Sequence, residues 1–280
     1  MPTPILHKER LIPGKTSKLV LHAPEIAAKA RPGHFVMLRM SPAGERIPLT
    51  IADADAARGE ITIVYLVLGK STALLESLEA GDAIPDVCGP LGRPTRIEKL
   101  GTVICVGGGT GIAAMHHIAR GHSRAGNHVV AIIGAREKQL LLFEKELSGF
   151  VDELVICTDD GSYGRKGLVT EPLVERLAAG GVGEVVAVGP VPMMAAVSKA
   201  TRPFGVPTTV SLNPIMVDGI GMCGACRVTV GGKTKFACVD GPEFDGHQVD
   251  FDELRRRLAA FREQEATSFD RYRKEQPHGN

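Results

Sequence analysis

Cys223, Cys226 and Cys238, with Asp218 ahead of them, put three thiols and a carboxylate within 21 residues of a 280-residue chain. The run Asp218-Gly-Ile-Gly-Met-Cys-Gly-Ala-Cys226 is threaded with glycine, which lets the backbone approach a bulky inorganic core. Thiolates serve iron–sulfur clusters and zinc alike. Structural zinc sites usually pair two Cys-x-x-Cys or Cys-x-x-His knuckles, and a single knuckle is present here. The set therefore points to an iron–sulfur centre in which Asp218 stands where a thiolate is usual, and so to electron transfer. A zinc-stabilised module without redox chemistry is the competing reading. Asp240 and Asp245 are rival carboxylates, but both follow the last cysteine.

A second chemical signal lies upstream. Gly107-Gly-Gly-Thr-Gly111 follows an apolar run and opens a helical pattern, the context in which free N–H groups and a helix N-terminus receive a pyrophosphate. Ile112 stands where a strict dinucleotide fingerprint has its third glycine, so the loop departs from that pattern. Arg46-Ile-Pro-Leu-Thr50 offers a guanidinium for a phosphate and a hydroxyl four residues on, although taken alone it reads first as an ordinary barrel strand with a surface Arg. Gly69-Lys-Ser-Thr72 heads a short helix and is a further phosphate candidate. The nine histidines form no metal-binding pair, and His116 and His117, adjacent on a helix, are expected to face apart. No hydrolytic motif such as Gly-x-Ser-x-Gly is present.

These residues must be positioned by elements of two kinds. Up to about residue 98, short strands (Leu19–Pro24, His34–Met40, Leu49–Asp53, Glu60–Leu68) and a helix at Ser71–Leu78 predict a small antiparallel barrel. Across 99–213, nearly uninterrupted apolar strands alternate with helices, beginning with Thr102–Val106 and Thr110–Arg120, which predicts a doubly wound parallel sheet. Residues 214–250 read as a loop with two short strands that carry the cysteines. Residues 251–280 read as an amphipathic helix over Phe251–Arg273 and a tail, the helix either capping the body or docking on a partner. Cys105 and Cys157 fall within apolar strands as small hydrophobes, and Cys88 sits in a Gly/Pro loop. A net charge of +1 argues against nucleic acid and anionic membranes as partners. No apolar run reaches the roughly 18 residues of a membrane span. With no leader pattern at the N-terminus and clustered rather than paired cysteines, a cytoplasmic location is expected.

Barrel, nucleotide loop and C-terminal cysteines in this order resemble the ferredoxin-NADP reductase superfamily, and more narrowly the electron-transfer subunits of dihydroorotate dehydrogenase and their relatives. Those carry Cys-Gly-x-Gly-x-Cys-x-x-Cys, and Asp218 replaces the first cysteine. That departure, within Ser211–Cys226, is similar to the small subunits of NADH-dependent reduced ferredoxin:NADP oxidoreductases, which are flavin-based bifurcating enzymes. The resemblance implies a ferredoxin-reductase-like α/β plus β fold, with an FAD-binding barrel (1–98), an NAD(P)-binding domain (99–213), a [2Fe-2S] lobe (214–250) and a C-terminal helix and tail (251–280). It implies Arg46 on the FAD pyrophosphate, Thr50 near the isoalloxazine, and Pro48 and Leu49 between them in the same motif. Tyr65, Leu66, Gly69, Ser71 and Thr72 correspond to the second FAD-contacting stretch. Gly107, Gly108, Gly109, Thr110 and Gly111 correspond to the pyridine-nucleotide loop, and Gly189 and Pro190 to the turn beside the nicotinamide. Asp218, Cys223, Cys226 and Cys238 correspond to the [2Fe-2S] ligands. No acid–base residue is implied, since hydride passes directly between nucleotide and flavin. NAD(H) is implied as substrate, while Arg136 after the second strand of the nucleotide domain leaves NADP(H) open. The implied partner is a larger flavin and iron–sulfur subunit, with ferredoxin reached through it. A dihydroorotate dehydrogenase or sulfide dehydrogenase subunit is the alternative.

Overall fold

The structure, a computed structural model, describes residues 2–275; Met1 and residues 276–280 of the expected tail lie outside the described residues. Seven strands build the first sheet: β1 (Thr3–Ile12), β2 (Thr16–His22), β3 (Phe35–Arg39), β4 (Arg46–Asp55), β5 (Glu60–Leu66), β6 (Ala83–Ile84) and β7 (Asp86–Leu91). They are antiparallel in the order β6-β1-β2-β5-β4-β3-β7, a nearly closed barrel around Leu19, Leu21, Leu38, Ile51, Ile61 and Ile63. Helices α1 (Pro24–Ala27) and α2 (Lys70–Glu76) cover its ends.

The second sheet takes β8 (Thr102–Gly108), β9 (His128–Ala135), β10 (Glu153–Thr158), β11 (Arg165–Lys166), β12 (Val182–Val188) and β13 (Thr208–Ser211), all parallel, in the order β11-β10-β9-β8-β12-β13. Alternate residues of β8 serve opposite layers. Val103 and Cys105 pack under α3 (Gly111–Arg124), while Ile104 and Val106 join the core formed with α5 (Thr170–Ala178) and α6 (Val191–Thr201). A helix α4 (Glu144–Ser148) caps the α3 side with its buried Leu147. The doubly wound expectation is met, and Cys105 and Cys157 are buried as expected.

Past residue 213 the chain forms a hairpin of β14 (Arg227–Val230) and β15 (Lys233–Phe236), then α7 (Ala237–Asp240). It then returns as β16 (Glu243–Asp245), which pairs antiparallel with β13 as the edge of the second sheet. This strand is invisible in the sequence because it carries a buried acid: burial pushes the Glu243 carboxyl up to about 7, with Thr95 donating a hydrogen bond at 2.6 Å. The single helix expected over 251–273 is instead two, α8 (Phe251–Leu258) and α9 (Arg262–Glu275). The apolar stripe ends at Leu258. Leu254 and Leu258 pack on the core beside Val228 and Val230, and the polar α9 then turns toward α2 of the barrel. Phe261, between the two helices, is exposed at the bend.

Candidate functional site

The parallel strands switch direction of winding between β8 and β12, and ligands of open α/β sheets bind at the carboxyl ends of such a pair. A cavity of about 390 Å³ lies there, closed on its other side by the barrel. The second sheet contributes Gly108 to Gly111 from the end of β8, Val188, Gly189 and Pro190 from the end of β12, and Ser211 to Asn213 from the end of β13. The barrel contributes Pro48, Leu49, Thr50 and Ala52 from β4 and Val64 to Leu66 from β5. Stretches of the barrel and of the second sheet, distant in sequence, thus line one cavity.

The glycines of the loop are required by distinct constraints. Gly109 has φ +55°, in the left-handed region. Gly111 opens α3 so close to the end of β12 that a Cβ would stand 2.6 Å from the Val188 carbonyl oxygen and 2.7 Å from Gly189 Cα. Gly107 ends within β8, and the cavity begins one residue later. The 14-residue α3 therefore begins at the cavity wall, and a helix N-terminus beside a cavity is a setting for a pyrophosphate.

The expected flavin residues divide into two groups. Pro48, Leu49, Thr50, Tyr65 and Leu66 line the cleft. Gly69, Ser71 and Thr72 border a neighbouring cavity of about 470 Å³ with Glu45, Ile47 and residues of α9, and Leu68 lines both. Arg46 sits exposed at the start of β4 and lines neither. At α2 the Thr72 hydroxyl accepts N–H bonds from Leu68 (3.0 Å) and Gly69 (3.1 Å), and the Ser71 hydroxyl donates to the Glu45 carboxylate at 2.5 Å. Tyr65 differs from a side-chain contact. Its ring is 1% exposed in the barrel core and its hydroxyl donates to Glu76 at 2.8 Å, with desolvation, followed by Glu76, pushing the phenol up.

Behind the cleft wall stands the cysteine loop. Cys226 and Cys238 are buried with Sγ atoms 3.1 Å apart, held by the β14–β15 hairpin and by the Ala237 N–H donating to the Cys226 carbonyl at 3.1 Å. Desolvation, then Cys226, pushes the Cys238 thiol up to about 12. Two adjacent buried thiolates need a cationic centre to ionise together, which is what a cluster supplies. Asp218 and the exposed Cys223 lie on the outer side of the same loop. The Asp218 carboxylate accepts N–H bonds from Cys223 (2.6 Å), Ile220 (2.9 Å) and Met222 (3.0 Å). Desolvation pulls that carboxyl upward, but the N–H bonds outweigh it and hold the group below its ordinary range. Among the described residues no three His, Cys, Asp or Glu side chains converge as a metal-holding set, so the structure brings two of the four expected ligands together. Glycines 219, 221 and 224, all at positive φ, wrap the loop round the thiols, and the donor types and order fit a cluster.

Phe35, Met37 and Met216 pack in the same apolar shell as Cys226 and Cys238, and Phe35 and Met216 also line the cleft. Met216 takes the place its sequence position suggests, near nucleotide and cluster, whereas Phe35, Ala52, Val64, Ala113 and Ala114 are cleft residues that no motif marks. The adjacent alanines at the first turn of α3 were the available signal, since small side chains there let another element come close. His116 meets the Phe143 and Phe150 rings, and His117 the Ile51 carbonyl. Both are buried, and desolvation pushes His116 down to about 4.

Residues 213–250 match the iron–sulfur cluster binding domain of dihydroorotate dehydrogenase B, and residues 105–199 match the oxidoreductase NAD-binding domain. The chain is 50% identical over 91% of its length to the dihydroorotate dehydrogenase B (NAD(+)) electron transfer subunit homolog of Thermotoga maritima, covering 90% of that protein. It is 34% identical to the corresponding electron transfer subunit of Geobacillus thermodenitrificans, over 86% of this chain and 95% of that one. A chain from the solved NADH-dependent reduced ferredoxin-NADP oxidoreductase, studied for flavin-based electron bifurcation, superposes with a TM-score of 0.90 at 46% identity, covering 97% of this chain and 98% of its own. No helix among the described residues is long and apolar enough to cross a membrane. The chain belongs to the family of dihydroorotate dehydrogenase B electron transfer subunits and their homologues, oxidoreductase subunits that join an NAD-binding domain and an iron–sulfur domain on a ferredoxin-reductase-like fold.

Proposed function

We propose that this chain is the small subunit of a cytoplasmic, bifurcating NADH-dependent reduced ferredoxin:NADP oxidoreductase. The observation that carries the reading is the shared wall: Phe35 and Met216 line the nucleotide cleft on one side and the shell of Cys226 and Cys238 on the other. When bound, FAD exchanges hydride with NAD(H) and single electrons with a [2Fe-2S] cluster, chemistry that belongs to the cofactors. The chain's own residues place them. Pro48, Leu49, Thr50 and Leu66 shape the flavin side, with the Tyr65 backbone beside them. Leu68 leads from there to Gly69, Ser71 and Thr72, a path for the phosphates of an elongated cofactor, with Arg46 at its exposed end. Gly107 through Gly111 receive the nucleotide pyrophosphate, and Gly189 and Pro190 border the nicotinamide. Asp218, Cys223, Cys226 and Cys238 would hold the cluster, which would supply one-electron exchange in either direction with a larger flavin and iron–sulfur subunit, ferredoxin being reached through that partner. In this reading residues 1–98 bind flavin, 99–213 nucleotide, 214–250 the cluster, and 251–280 form a C-terminal extension.

The 50% identity to a dihydroorotate dehydrogenase B subunit homolog supports a second reading, the dihydroorotate-linked electron-transfer subunit. Asp218 favours the first, and it yields a test. An oxygen ligand is harder than a thiolate, so Asp218→Cys is expected to retain its cluster with a midpoint potential displaced by at least about 59 mV, one decade for a one-electron couple. A redox titration with an unchanged potential removes Asp218 from the ligand set.

A further inference from the structure

The cleft requires that β4 and the loop after β8 keep a fixed separation, although they belong to different sheets. α3 supplies the connection. It crosses β4 immediately past Thr50, where Ala113 of the helix meets Ala52 of the strand beside Val64, a contact of small side chains. On either side of Ala52 a longer side chain of α3 reaches the strand. His117 Nδ1 donates to the Ile51 carbonyl at 3.0 Å, and because a carbonyl only accepts, that nitrogen carries the proton. The Arg120 guanidinium grips the Asp53 carboxylate through two nitrogens, Nη1 at 3.0 Å from Oδ2 and Nη2 on Oδ1. Three consecutive residues of β4 are thus held by one face of α3. Next to His117, the buried His116 packs its ring 5.1 Å from that of Phe143 and 5.4 Å from that of Phe150.

None of these polar side chains lines the cleft, but Asp53 adjoins Ala52, which does, and His117 and Arg120 lie about one and two turns along α3 from the lining residues Ala113 and Ala114. Ile51 follows Thr50, and Ala113 lies two residues after Gly111. The barrel and the second sheet thus meet through a seam whose nearest covalent neighbours are the flavin strand on one side and the nucleotide loop on the other. A bidentate Arg–carboxylate pair fixes angle as well as distance, since both planar groups must align. Direct transfer between two bound rings is steep in their separation, and a displacement of about 1 Å costs on the order of 10²-fold in rate.

We propose that Arg120, with Asp53 and His117, is a positioning device that sets the flavin strand against the nucleotide loop and thereby the rate of hydride transfer, without touching either cofactor. The proposal rests on the reading of the cleft given under Proposed function. It distinguishes these residues from ordinary interdomain glue by what their loss changes: the rate of the step rather than occupancy by either cofactor.

The test uses the full-length purified chain loaded with FAD, mixed anaerobically with NADH in a stopped-flow spectrophotometer. Arg120→Gln is expected to slow flavin bleaching roughly 10- to 100-fold. The NADH concentration at half-maximal rate and the bound flavin should stay at wild-type levels, while the long-wavelength nicotinamide–flavin charge-transfer absorbance weakens. Arg120→Lys, which keeps the charge but lacks the fork, should fall between. Asp53→Asn keeps the side-chain shape and removes the charge. It supplies the same test if Arg120→Gln fails to fold, and it is expected to slow bleaching with the same unchanged nucleotide dependence. Wild-type bleaching rates and charge-transfer bands in folded Arg120→Gln or Asp53→Asn overturn the proposal, even where their melting temperatures fall. A wild-type chain whose flavin NADH does not bleach overturns the underlying cleft reading instead, so the two failures are distinguishable.

Discussion

Cys223→Ser purifies as a yellow chain that retains its flavin and its NADH-dependent flavin reduction but has lost its iron, and with it at least about 100-fold of its electron delivery to a one-electron acceptor. The direction follows from ligand chemistry: a serine hydroxyl is not ionised at neutral pH and is a poor substitute for a thiolate on iron. The choice of cysteine follows from the structure. Cys223 is exposed, so replacing its sulfur leaves the apolar shell around Cys226, Cys238, Phe35, Met37 and Met216 untouched. Cys226→Ser, by contrast, strands a hydroxyl in that shell and adds a folding penalty of about 1–3 kcal/mol. Iron and sulfide content, flavin content and thermal melts on the two variants separate cluster loss from unfolding. A Cys223→Ser chain with full iron content would remove Cys223 from the ligand set.

Gly111→Ala is the second large effect. The added Cβ meets backbone, the Val188 carbonyl and Gly189 Cα, and no rotamer change relieves that contact. The loop after β8 and the end of β12 must move apart at the point where both line the cleft. Overpacking of this kind costs about 1–3 kcal/mol. If most of it appears as lost pyrophosphate binding, NADH affinity falls roughly 10- to 100-fold, at 1.4 kcal/mol per decade. The effect should be read in the NADH dependence of flavin reduction, with flavin content unchanged. Gly109→Ala introduces left-handed strain but no close contact, and is expected to lower thermal stability more than affinity. Equal nucleotide affinity in Gly111→Ala and wild type would contradict the assignment of this loop to the pyrophosphate.

How much of this was legible in the sequence depends on how each residue carries its information. The strands of the second sheet are covered on both faces, so β8, β9, β10 and β12 are written as uninterrupted apolar runs. β1 was hidden by its own charges. Lys8 lies on that strand with an almost fully buried side chain, its ammonium donating to the Leu78 carbonyl at 2.8 Å and paired with Glu76 and Glu79. A strand that buries a lysine among partners supplied seventy residues later cannot be recognised by alternation. β16 was hidden in the same way by Glu243. The nucleotide loop and the cysteines were legible because glycine and thiol chemistry are local properties. The seam of Ala52, Ala113, His117 and Arg120 was not, because it exists only once α3 lies across β4. Asp218 was legible as a ligand type, whereas its present role, gathering three N–H groups of its own loop, is a conformational fact.

The central claim is a path from nucleotide to flavin to cluster within a single chain. It is tested most directly by adding NADH anaerobically to the purified full-length protein and following flavin absorbance together with low-temperature electron paramagnetic resonance. Bleaching of the flavin, accompanied by the signal of a reduced [2Fe-2S] cluster that is absent in Cys223→Ser, is the predicted result. A colourless, zinc-containing protein, or a bleached flavin beside a cluster that stays oxidised at every NADH concentration, would contradict it.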